Sequence, residues 1–140
     1  MVPRMMDVGQ AHNIQFSYGG DIGNTFESHR LLWFARKKGR EAQGRLVEEL
    51  FKLYFEQEKS LGEPKTLLDA ARSANFNVSD IESFLASDEG RRETLQEIRQ
   101  GSRICSGVPF FIFDEKFAVS GAQDKETFLN IFDKVQQSKM

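Results

Sequence analysis

The feature that most constrains this chain is an uninterrupted apolar run, Val108-Pro109-Phe110-Phe111-Ile112-Phe113. It is far too short to cross a bilayer, and its β-branched and aromatic residues predict a strand buried on both faces. Asp114-Glu115 then reads as a turn and Phe117-Ala118-Val119 as the returning strand of a hairpin, broken at Gly121. A lone hairpin is marginal in water. The rest of the chain must therefore supply further strands or a helical cover.

The residues before the hairpin are patterned for helices. Residues 3–12 suit a short helix, and Ile14, Phe16 and Tyr18 alternate with polar neighbours as a third strand or extended segment would. Asn24 and Glu27 have capping-box spacing, and Lys37-Lys38-Gly39 makes a C-terminal stop, which predicts a helix between them. A second helix is expected over about 41–59, with Leu46, Val47, Leu50, Phe51 and Tyr54 on one stripe. A third opens at Pro64 and ends at Asn75-Phe76-Asn77. Ser79 and Glu82 suggest another capping box ahead of Ile81, Phe84 and Leu85, and a further helix is expected from Asp88 to Gln100, stopping at Gly101. After the hairpin, Asp124 is placed to cap a last helix carrying Phe128, Leu129, Phe132 and Val135. Trp33 and the Phe-rich stripes are read as core.

Composition excludes several classes. With 39% hydrophobic residues, thirteen of them Phe, the chain is too apolar to be disordered, and 140 residues suit one domain. A net charge of −2 with well-mixed signs leaves no basic patch for nucleic acid. One cysteine, Cys105, cannot form an internal disulfide, so the chain is not a disulfide-stapled secreted domain. The first residues lack the apolar stretch of a secretory leader, and no segment is long enough to span a membrane. A cytoplasmic setting is the expectation.

The segments Ser106-Gly107-Val108-Pro109-Phe110-Phe111-Ile112-Phe113 and Ala118-Val119-Ser120-Gly121-Ala122-Gln123 resemble the C-terminal part of DsbA-family oxidoreductases of the FrnE type. These are related to kappa-class glutathione transferases and 2-hydroxychromene-2-carboxylate isomerases. Asn24-Thr25-Phe26-Glu27-Ser28-His29-Arg30-Leu31-Leu32 looks like the helical insertion of the same family, and Leu53-Tyr54-Phe55 strengthens the match. The resemblance implies an α/β, thioredoxin-like fold over residues 1–140, predominantly helical. About 24–101 would form the helical insertion and 108–140 the C-terminal hairpin and helix. It also implies an incomplete sheet. The family's first strand ends in Cys-x-x-Cys at a helix N-terminus, which lowers the attacking thiol's pKa. This sequence has no such motif and resembles only the part of the family fold that comes after that strand-helix-strand.

By the same resemblance, Pro109 matches the superfamily's cis-proline, and Val108 before it offers its backbone N–H and C=O to a substrate peptide or glutathione. The bland alternative is a proline opening a strand, where its missing N–H is harmless. Ser120 and Gln123 fall where family members make polar contacts to a thiol ligand; turn and capping chemistry explains them equally well. Cys105, four residues before Pro109, is the sole candidate thiol, able to form a mixed disulfide with glutathione if exposed, or else an inert, partly buried side chain. It does not match a family catalytic cysteine. His29 is read as a hydrogen-bonding helix residue rather than a metal ligand, and His12 with Asp7 gives no better ligand set.

Three functions are compatible with these residues. The first is a DsbA-like thiol-disulfide oxidoreductase, impaired because dithiol exchange needs a second sulfur to resolve the mixed disulfide. The second is a non-catalytic binding module that uses the Val108–Pro109 groove and an open sheet edge, with a protein or peptide partner or a second copy as a homodimer. The third is a glutathione-dependent transferase or isomerase of the kappa-like group. No metal or other cofactor is expected.

Overall fold

The computed structural model describes residues 1–140. Seven helices and one hairpin succeed one another: α1 (Val2–Ala11), α2 (Phe26–Lys37), α3 (Arg40–Phe55), α4 (Pro64–Ser73), α5 (Val78–Leu85), α6 (Arg91–Ile104), β1 (Phe110–Phe113), β2 (Phe117–Ser120) and α7 (Lys125–Ser138). The chain divides into two compact units, Met1–Leu95 and Gln96–Met140. No helix is long and apolar enough to cross a membrane.

The first unit is a helical packing around one core. Leu31 and Ala35 of α2 meet Leu46 and Leu50 of α3, Leu67, Ala70 and Ala71 of α4, and Ile81 and Phe84 of α5. Alanines dominate the α4 face, so its backbone can approach its neighbours closely. Gly90 takes φ +73°, and a Cβ there would strike the Trp33 ring; only glycine serves at both counts.

The Ile14–Tyr18 segment is not a strand. Two backbone bonds tie it to helices rather than to a sheet: Ile14 N–H donates to the Gly9 carbonyl of α1 (2.8 Å) and Ser17 N–H to the Phe55 carbonyl of α3 (2.8 Å). Carboxylates hold the rest: Gln15 N–H donates to Glu56, and Ser17 Oγ and Gly19 N–H donate to Glu58. Side chains beyond the alternation window decide this segment, which lies as a strap across the end of α3.

Several helix ends also differ from expectation. Thr25, not Asn24, is the residue preceding α2; the Asn24 side-chain carbonyl instead accepts from Phe26 N–H (2.9 Å), and Glu27 turns to Arg30. Asn77 caps α5 by accepting from Asp80 N–H (3.1 Å), so Ser79 and Glu82 form no capping box. α3 stops at Phe55 rather than 59. α6 begins at Arg91 and passes through Gly101 to Ile104. A helical glycine costs only about 1 kcal/mol relative to alanine, and Gly101 is overridden by its neighbours.

In the second unit β1 pairs antiparallel with β2, Phe110 opposite Ser120 and Phe113 opposite Phe117. Asp114 and Glu115 both have positive φ, the conformation a primed hairpin turn requires. Phe111 and Phe113 pack edge-on against Phe128 of α7, and Phe113 also meets Phe132. The expectation that this apolar run is buried on both faces fails: Ile112 is 50% exposed and Phe111 37%. With two strands and one covering helix, the middle of β1 stays exposed at the adjacent residues Phe111 and Ile112, while Phe110 and Phe113 at its ends are half-buried. The Phe stripes are thus only partly core, since Phe51 and Phe132 are exposed as well.

Candidate functional site

The hairpin assembles four of the residues singled out in the sequence. β1 starts at Phe110, so Val108 and Pro109 lie just outside the strand, and the bond joining them is cis. The Pro109 carbonyl accepts from Gly121 N–H (2.8 Å), which extends the ladder by one bond beyond Phe110–Ser120. Gly121 can occupy φ +82° there because it has no Cβ. Val108 is 88% exposed, at the mouth of the hairpin.

Ser120 and Gln123 sit on the opposite strand end. The Gln123 side-chain amide donates to the Ser120 carbonyl (2.9 Å), and its backbone N–H donates to the Gly121 carbonyl (3.1 Å). Gln123 therefore closes the turn out of β2. Asp124 next caps α7, accepting from both Thr127 N–H (2.8 Å) and Thr127 Oγ1 (2.7 Å). Those bonds favour the carboxylate, the side-chain hydroxyl first and the backbone N–H second, and hold the Asp124 pKa below its ordinary value. Asp114 at the other end of the hairpin is lowered by Lys139, which bonds it at 3.1 Å, and more weakly by Lys116.

Cys105 comes directly after α6. Its N–H donates to the Gly101 carbonyl (3.1 Å), and its thiol points at the same oxygen at 3.8 Å. It is half-buried and unbridged. The chain has no second sulfur from cysteine. His29 is exposed and bonded through Nδ1 to the Thr25 carbonyl (2.8 Å).

Sequence reasoning does not single out Arg30. This side chain is fully buried and donates to four carbonyls at and beyond the end of α5: Phe84 (3.2 Å), Leu85 (3.0 Å), Ser87 (3.0 Å) and Glu89 (2.8 Å). Its Nε donates to Glu27 (2.8 Å), and the guanidinium lies 4.5 Å from the Phe84 ring centroid. A cation suits the negative end of a helix, and the guanidinium's planar fork of donors matches several acceptors at once. The one local signal for it is the Glu27–Arg30 spacing, which competes with the capping-box reading of Glu27.

The sequence profile of the DSBA-like thioredoxin domain matches residues 1–133. The chain belongs to this family, and its fold is that of a DsbA-like thioredoxin domain, predominantly helical with a C-terminal hairpin and helix. The family is of the thiol-disulfide oxidoreductase type. No curated protein matches the chain closely enough to be compared with it.

Proposed function

We propose that this chain is a DsbA-family protein of the FrnE type that holds thiol or peptide substrates without performing dithiol exchange itself. In this reading about 24–101 is the family's helical insertion and 108–140 the hairpin and helix of the thioredoxin core. One observation carries it: the chain offers a single thiol, Cys105, half-buried against the Gly101 carbonyl. A thiolate attacking a substrate disulfide forms a mixed disulfide and expels one substrate thiolate. Release of the second requires another thiol, and no cysteine of this chain supplies it. Val108, Pro109, Ser120 and Gln123 would then form the substrate-facing rim. The test is insulin reduction with dithiothreitol. Background turnover is expected; a rate well above background that disappears in Cys105→Ser would overturn the proposal in favour of a monothiol mechanism.

A second reading, a non-catalytic interaction module, is favoured by a different observation. The two-stranded sheet has two free edges beside exposed Ile112 and Phe132. A second copy would pair with such an edge by two-fold symmetry. Sedimentation equilibrium at micromolar concentration distinguishes a homodimer from a monomer.

A further inference from the structure

The first unit carries a feature that none of the thiol chemistry uses. A cleft of about 570 Å³ opens between α1, the 14–18 strap and the C-terminal half of α3. Met5, Ile14, Phe16, Tyr18, Phe51 and Phe55 supply its apolar surface. Phe16 stacks on Tyr18 and meets Phe55 edge-on, and Phe51 meets Phe55 the same way. The floor is preformed: Ser17 N–H is bonded to the Phe55 carbonyl, and the Phe16 ring is pressed against Gly9, where a Cβ would collide with it. Preformed apolar clefts with a few placed charges are the common form of binding site.

The charges around this cleft are unequal. Glu48, Glu49 and Glu56 line it against one cation, Lys52. Glu56 is engaged by Gln15 N–H (3.0 Å), while Glu48 and Glu49 take part in no ion pair, although a lysine lies four and three residues away on the same helix. An aromatic floor beneath unneutralised carboxylates complements a ligand with apolar anchors and positive charge. We propose that this cleft docks a cationic amphipathic segment of a partner protein, its Leu- or Phe-type side chains among Phe16, Tyr18, Phe51 and Phe55, and its Lys or Arg residues over Glu48 and Glu49. Met5 adapts to the anchor's shape, as thioether side chains do at such surfaces. An anionic membrane surface is disfavoured, because the rim has the same sign. The inference is independent of the reading of Cys105 and the hairpin.

The probe is a fluorescein-labelled peptide of Leu and Lys, about 18 residues long and so roughly five helical turns, titrated with the full chain and followed by anisotropy. Saturable binding is expected that weakens with salt, as charge-steered association does. A Leu/Glu peptide of the same pattern should bind roughly tenfold or more weakly. The double variant Glu48→Lys, Glu49→Lys should remove that preference, and Phe51→Ala or Tyr18→Ala should weaken the Leu/Lys peptide, with circular dichroism unchanged. Equal binding of the two peptides, or insensitivity to all these variants, would overturn the proposal. So would no peptide binding combined with self-association abolished by Phe51→Ala, which would make a second copy the occupant. Binding to phosphatidylglycerol vesicles in preference to the peptide would make it a lipid surface.

Discussion

The helical unit and the hairpin unit solve the same problem with unequal success. Both bring aromatic and aliphatic side chains together, yet Leu31, Leu46, Leu67 and Ile81 of the first are completely or almost completely buried, whereas α7 of the second buries no residue and Ile112 of β1 stands half exposed. Four helices enclose a core from several sides. Two strands and one helix can cover only one face of the sheet. Burying an aliphatic side chain yields roughly 1.5–3 kcal/mol, so the first unit gains what the second forgoes at Ile112, Leu129 and Phe132. The lesson concerns pattern and context: an apolar run states what a segment would bury, while the surrounding elements decide whether it is buried.

The largest effect should come from Arg30, which pins the end of α5 to α2. Arg30→Met removes the donors from four carbonyls and leaves Glu27 without its buried partner. Glu27 keeps its bond to Arg91 (3.1 Å), so the cost falls on the carbonyls: an acceptor left without its donor costs about 1–3 kcal/mol, and four lose theirs at once. Trp33 lies in the same unit and is the chain's only tryptophan, so its fluorescence during urea unfolding reports this region. A midpoint close to that of the unsubstituted chain would mean that the carbonyls find water instead, and that the first unit is looser than its burial suggests.

Next in size is a matched pair of truncations. Leu46→Ala should cost about 2–5 kcal/mol, as Leu-to-Ala changes in packed cores do. Ile112→Ala removes as many carbon atoms from a half-exposed site and should cost well under half as much. Amide exchange carries the comparison further, with Leu46 and Leu67 expected to be protected longer than Phe111 and Val119. Equal costs for the two substitutions would show that the face of Ile112 is covered in solution, by a second copy or another partner.

The helices are legible in the sequence because their signals are local. Apolar spacing marks the α3 stripe, Pro64 opens α4, and Asp124 caps α7, all from residues within a turn of one another. The hairpin is legible for the same reason. The hidden features depend on partners distant in the chain. Glu56 and Glu58 hold the strap from about 40 residues away, and Arg30 reaches carbonyls more than 50 residues on. Neither spacing nor composition encodes such meetings. Of the candidate site, the positions of Val108, Pro109, Ser120 and Gln123 are readable through the resemblance. The bond from Gln123 to the Ser120 carbonyl needs three dimensions.

Helix caps sharpen the comparison at a smaller scale, because each unit starts a helix with the same geometry and different chemistry. Asn77 opens α5 by accepting from the third residue on, as Asp124 does for α7. Asn77→Ala should cost about 1 kcal/mol, the usual loss for an N-cap side chain, and should do so equally at every pH because the amide does not titrate. Thermal unfolding at two pH values checks both statements.

The smallest expected effect separates the two caps by acid. The Asp124 pKa is lowered on folding, first by the Thr127 hydroxyl and then by Thr127 N–H. A group depressed in the folded state binds fewer protons folded than unfolded. Its contribution is therefore fully present above the unfolded value and is lost as pH falls through the lower folded one. Protonation leaves a poorer acceptor for Thr127 and removes the negative charge that suits a helix N-terminus. As pH falls below the ordinary aspartate range, the Thr127 amide should exchange faster, while the Asp80 amide, held by neutral Asn77, should not respond through its cap. Asp124→Asn keeps an acceptor oxygen and should flatten the Thr127 response without abolishing α7. Two-dimensional NMR with hydrogen exchange reads both amides in one sample. Parallel acid loss at Asp80 and Thr127 would mean that general unfolding, not the caps, sets the acid limit of both units.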